Sequence, residues 1–228
     1  MAFELPTTYD YGKENPEDWK IYEDLISKCP MKEPALSVLK WSGLSDNLIK
    51  TMEIGFIENV AIVFTDLSMK YGMNRLKEAG LIFRKGTHEG KYLFTFHKIL
   101  IPFISDNHIK FIRGMKVERS SSWIFQDTLK NLNYIYNEDL LKKLKPDDTL
   151  HIMESILDCL NYMEKGENAI GILGIGSFKD EYFKLLGSFN LILHRDSTNP
   201  DSEYSRELAS MFVNRGIKAS RGEMPSTF

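Results

Sequence analysis

From about residue 147 the chain alternates two hydrophobic patterns. Short runs that are apolar at nearly every position, TLHIME, NAIGIL and FNLILH, are separated by stretches with helical spacing, SILDCLNYMEKG, SFKDEYFKLLG and DSEYSRELASMFVNRG, and IKAS closes the series. Near-continuous apolar runs suit strands buried on both faces, and strand–helix alternation predicts a parallel sheet with crossover helices. Residues 147–228 therefore read as a parallel α/β lobe.

The pattern before residue 147 is different. LIFRK, KYLFTFHKILIPFI and IKFIRGMKV are rich in aromatic and branched residues, and THEG and SDNH read as turns, which predicts a small antiparallel sheet. Pro102 lacks a backbone N–H, so its part of the sheet belongs at an edge, a strand end or a bulge. Helices are predicted after Pro16, after an N-cap at Ser45 with Gly55 as the stop, from Gly72 to Ala79 with Gly80 as the stop, and within LNYIYNEDLLKKLK. The expected organisation is an acidic lead over 1–35, an α+β lobe over 36–146 and the α/β lobe over 147–228.

Composition narrows the functional classes. The 228 residues are 43% hydrophobic and 27% charged, enough for a substantial core. A net charge of −3 gives no global field for nucleic acid, so any such binding must come from a local patch. Residues 1 to 24 carry seven acids against Lys13 and Lys20. Cys29 and Cys159 form neither a CxxC nor a Cys/His cluster, so no zinc site and no disulfide framework is expected. No apolar run reaches the ~18–20 residues needed to span a bilayer, and MAFELPTTYDYGKE lacks the basic-then-apolar pattern of a secretion signal. A cytoplasmic setting, away from membranes, fits these features.

The apolar runs end in chemistry-bearing residues. Glu154 closes the first run, Asp158 follows one helical turn later, and Asp196 follows the third run. In a parallel sheet these run ends share one edge, where ligands bind. Three carboxylates around one crevice suit Mg²⁺ or Mn²⁺, and a hard cation there would support phosphoryl transfer. The plainer alternative is that Asp158 and Asp196 only begin or solvate helices. Gly171, Gly174 and Gly176 invite a dinucleotide reading, but GILGIGSFKD lacks the third glycine and follows a second strand; a tight turn is the simpler use.

HIMESILDCLNYMEKGENAIGILGIGSF resembles the first half of a TOPRIM domain, the catalytic module of bacterial-type (DnaG-like) DNA primases, topoisomerases and some nucleases, and LILHRDSTN falls where that family has Asp-x-Asp-x-Ala-Gly. GLSDNLIKTMEIGF, FHKILIPFISDNHIKFIRGMKV and NYIYNEDLL resemble successive segments of the primase catalytic core, so the likeness runs over about residues 40–220. It implies a TOPRIM-like second lobe. It also implies that Glu154 serves acid/base or metal chemistry, that Asp196 is the second acid of the Asp pair, and that Asp158 is the helix acid. Departures stand beside these matches: His194 replaces the first Asp of the pair, Ser155 a Gly, Thr198 an Ala and Asn199 a Gly. An imidazole in place of a carboxylate weakens a hard-cation site, with His194 as an altered ligand.

Lys98, Lys110, Arg113, Lys116 and Arg119 face only Asp106 and Glu118 in the β segment. By resemblance, Lys98, Arg113, Lys116 and Arg119 would meet template phosphates; the alternative is solvated strand faces. His88, His97, His108 and His151 have no spacing partner. Phe94, Phe96, Phe103 and Phe111 alternate like a packed sheet face, and Trp123 is a candidate stacking platform. The resemblance implies a divergent primase-like TOPRIM protein performing metal-dependent nucleotidyl transfer on single-stranded DNA. One rival is a catalytically inactive TOPRIM module that binds DNA or protein as a replication or regulatory factor. Another is a small TOPRIM nuclease. The zinc-binding and helicase-contacting modules of full-length primases lie outside the matched stretch, so a helicase or other replication protein is an expected partner.

Overall fold

The structure, a computed structural model, describes residues 15–84, 88–119, 125–129, 134–173, 180–194 and 203–222. Asp196, Trp123, Gly174, Gly176, Thr198 and Asn199 lie outside them. The architecture is the expected mixed α/β, with one antiparallel and one mostly parallel sheet.

The first part holds α1 (Asp18–Ser27), α2 (Ala35–Trp41), α3 (Asp46–Thr51), β1 (Gly55–Phe56), α4 (Val60–Tyr71), α5 (Met73–Glu78), β2 (Ile99–Ser105), β3 (His108–Met115) and β4 (Phe125–Asp127). Ser45 caps α3 as expected, its Oγ accepting from the Leu48 N–H at 3.1 Å. The strands order as β1-β2-β3-β4. The β2–β3 hairpin turns through Asp106 and Asn107, both at positive φ (54° and 59°), the left-handed pair that a two-residue hairpin requires. Pro102 is accommodated as its chemistry demands: β1 reaches only Ile99 and Leu100, and the β2–β3 register shifts between Phe103 and Ile104.

Three segments depart from their patterns. LNYIYNEDLLKKLK is not one helix but β5 (Ile135–Tyr136) followed by a 3₁₀ turn (Glu138–Lys142), with Asn137 at φ 60° between them. Tertiary packing decides this: Tyr136 is fully buried, edge-on to Phe103 with centroids 5.0 Å apart. KYLFTFHK is a turn rather than a strand, and LIFRK contributes one bridge, Ile82 to Tyr92. Phe96, expected on a packed face with Phe94, Phe103 and Phe111, is instead 77% exposed while the other three are buried.

The second sheet orders as β5-β7-β6-β8-β9, built from β6 (Thr149–Met153), β7 (Ala169–Ile172), β8 (Asn190–His194) and β9 (Ala219–Arg221), with α6 (Ile156–Glu164), α7 (Asp180–Leu186) and α8 (Glu203–Asn214) between them. All its pairs are parallel except β5–β7. The crossover helix α6 covers the face that carries Met153 and Ala169, packed in one core with α2, α3 and the hairpin. The opposite face, Leu150, Ile152, Ile170 and Leu191, packs with residues of α7 and α8. Gly171 lies inside β7 rather than in a turn: a Cβ there would come within 2.7 Å of Ile156 Cδ1, so α6 rides directly on the strand.

The hairpin crosses this sheet in a defined sense. Its tip lies by the 3₁₀ turn, where the Asp106 N–H donates to Asp139, while Phe111 stacks on Tyr134 beside the C-terminal end of β7. Its open end, where Ile99 pairs Met115, therefore points toward the C-terminal edge of the parallel strands.

Candidate nucleic-acid and active-site crevice

The strand order makes the crevice. From β6 the chain crosses through α6 to β7 on one side, then through α7 to β8 on the other, so the loops leaving β6 and β8 diverge to opposite faces. A ligand crevice forms at such a switch point. Met153 and His194 are register partners, and Glu154, the next residue of the chain, lines one cleft with His194. A cleft of about 110 Å³ opens at this edge, lined by Glu154, Leu193, His194, Leu208, Ala209, Ala219, Ser220 and Arg221.

Glu154 is half-buried at the mouth of α6. Ser155 caps that helix, accepting from the Asp158 N–H at 3.3 Å, which is why a serine serves where the resemblance expects glycine. Asp158 sits in the first turn of α6, favoured by the helix dipole, and does not line the cleft. Its charge adds to burial in raising the Cys159 thiol and the Tyr162 phenol above their ordinary values.

His194 is buried, at 5% exposure, and turned toward α6. Its Nε2 lies 2.8 Å from His151 Nδ1, and the Tyr162 ring closes the group with centroids 4.9 Å from each imidazole. His151 is the partner that spacing along the sequence does not reveal: β6 pairs with β8 so that His151 faces Ile192, two residues from His194 on the same side of the sheet. Burial, then the neighbouring His151, push His194 down to about 4; burial also lowers His151, against a small opposing effect of Glu167. Both rings are neutral near pH 7, and one N–H is shared between them. The end of β9 seals the pair, for a Cβ on Gly222 would collide with the His194 ring.

Among the described residues no group of three or more His, Cys, Asp or Glu is placed to hold a metal. The position expected to provide a carboxylate provides a neutral nitrogen already engaged with another imidazole.

The basic residues gather at the open end of the hairpin. Extending the Ile99–Met115 register by one step sets Lys98 opposite Lys116. Lys98 Nζ donates to the Glu58 carbonyl at 3.1 Å, and Lys116 Nζ is 3.6 Å from Glu118. Arg113 is committed more firmly: its Nε and one terminal nitrogen each donate to Asp127 at 2.6 Å, over the Phe125 ring. Arg119 is exposed. Burial, then Lys116, lower His97, against the opposing pull of Gln126, Glu118 and Asp127.

No family model matches the chain, and no curated protein matches it by sequence. Solved structures do match. The DnaG primase catalytic domain bound to single-stranded DNA is 16% identical at a TM-score of 0.68, over 92% of this chain and 72% of that one. A DnaG catalytic core is 15% identical at 0.67, covering 92% and 73%. The RNA polymerase domain of Mycobacterium tuberculosis primase DnaG, in complex with a double-stranded DNA oligomer bearing a 6-nucleotide overhang, is 13% identical at 0.67, covering 94% and 74%. The fold of this chain is that of DnaG primase catalytic cores. Among the described residues no helix is long and apolar enough to cross a membrane.

Proposed function

We propose that this chain binds single-stranded nucleic acid between the open end of the hairpin and the C-terminal edge of the parallel sheet, and that binding, rather than metal-dependent nucleotidyl transfer, is its main role. The fold supports nucleic acid as the ligand, because two of the similar structures hold DNA. The observation that carries the choice of binding over catalysis is His194: a buried, neutral imidazole tied to His151 where a carboxylate is expected. Lys98, Lys116 and Arg119 are suited to phosphate, and Arg113 to holding β4 against β3. A cytoplasmic setting and a replication partner such as a helicase belong with this reading.

A second reading, nucleotidyl transfer templated by single-stranded DNA, is supported by Glu154, which keeps a carboxylate on the cleft. On that reading Glu154 and Asp196 are the Mg²⁺ or Mn²⁺ ligands and Asp158 assists. Binding of a labelled single-stranded oligonucleotide, beside ribonucleotide incorporation with Mg²⁺ or Mn²⁺, separates the two. The expected result is salt-sensitive binding by both wild type and Glu154→Gln, with no primer made. Primer synthesis lost in Glu154→Gln would install the second reading, metal-dependent strand cutting would install a nuclease, and absence of binding would sink the proposal.

A further inference from the structure

Phe96 is the most exposed of the large apolar side chains among the described residues, at 77%. It does not belong to a loose loop. Phe94, two residues before it, is buried at φ 60°, and its N–H donates to Gln126 Oε1 at 2.9 Å. Thr95 Oγ1 donates to the Tyr92 carbonyl at 2.9 Å, and the Lys98 carbonyl accepts from the Ile57 N–H at 2.9 Å. The turn lies flat on Gly114 of β3, where a Cβ would fall 2.5 Å from Phe94 Cδ1 and 2.6 Å from the His97 carbonyl oxygen. A non-glycine residue in the left-handed region is held only by surroundings that over-determine it. The turn so anchored presents the Phe96 ring to solvent.

The surroundings of the ring name its occupant. Lys98 and Lys116 stand opposite each other at the same end of the hairpin. Lys98 spends one donor on Glu58 and keeps the others, and the partly exposed 3.6 Å pair of Lys116 with Glu118 is weak enough to be displaced. A flat apolar face flanked by ammonium groups matches a nucleobase flanked by phosphates, and base–aromatic stacking tolerates any sequence.

We propose that Phe96 is a base-stacking platform on the single-strand path, with Lys98 and Lys116 taking the phosphates on either side. This rests on the nucleic-acid reading above and adds a contact that reads bases rather than charge. The test measures anisotropy of two labelled oligonucleotides of equal length and charge, oligo(dT) and its fully abasic counterpart, against wild type, Phe96→Ala and Phe96→Trp, with thermal melts checking each fold. Phe96→Ala is expected to weaken oligo(dT) binding about five- to a hundredfold while leaving abasic binding unchanged, and Phe96→Trp to restore oligo(dT) affinity. Equal affinity of wild type and Phe96→Ala for oligo(dT), or equal losses on both oligonucleotides, would overturn the platform alone. Failure of wild type to bind either strand would overturn the nucleic-acid reading with it.

Discussion

The open end of the hairpin and the C-terminal edge of the parallel sheet treat their polar groups in opposite ways. At the hairpin, Lys98 and Lys116 are half-buried, Arg119 is exposed and even an aromatic ring is turned outward. At the sheet edge, His194 is drawn inside, stripped of charge and covered by Gly222. Binding needs exposed charge and flat faces, whereas metal chemistry needs converging carboxylates. Among the described residues, Glu154 is the carboxylate that lines the cleft.

The largest expected effect tests whether the hairpin depends on the parallel lobe. Phe111 is fully buried against Phe103 and Tyr134, so Phe111→Ala should cost ~3–5 kcal/mol in urea denaturation. A loss below ~1 kcal/mol would mean the two sheets barely support each other. Next comes the imidazole pair. The folded His194 sits below the ordinary histidine value, so between about pH 6.5 and pH 4 the unfolded chain takes up a proton that the folded chain refuses. Stability should therefore fall as pH drops through that window, by on the order of 2–3 kcal/mol from this residue. In His194→Gln that part of the slope should vanish, whereas identical slopes in the two proteins would show that the ring is not held neutral.

Ser45 ties α3 to α6 through a smaller device: its Oγ and N–H both donate to Glu164 Oε2, at 2.9 and 3.0 Å, while the same Oγ caps α3. Ser45→Ala should cost ~1 kcal/mol, measured by the same denaturation. Smallest of all is the exposed Lys142, paired with Asp106 and Asp139. Lys142→Ala should change the midpoint by under ~1 kcal/mol despite the short contacts, and a larger loss would reveal a structural role for the hairpin tip.

The parallel lobe was legible because its apolar runs are continuous and its helices amphipathic; each predicted strand and helix there has an observed counterpart. The first lobe was harder. Helix α4 carries Ile62 and Met69 on its outside, at 61% and 74% exposure, so apolar residues surround it and the one-sided stripe that marks a surface helix is blurred. Phe96 and its turn looked like strand because aromatic composition cannot distinguish a ring that packs from a ring that is displayed. At the candidate site Glu154 was readable from its address at a strand end. The His151–His194 pair was not, since it exists only through the register of two strands separated by some forty residues. Asp196 lies outside the described residues.

Helix α6 has a role beyond spacing two strands. Ile156, Cys159 and Leu160 belong to a core shared with Leu39, Ile49, Phe103 and Phe111, so the same helix completes the interior on both sides of the chain's midpoint. A cut near residue 147 would leave the faces of that shared core wet in both fragments, and each should be less stable than the intact chain. The intact chain should melt in a single cooperative transition, because one of its cores is built from both halves.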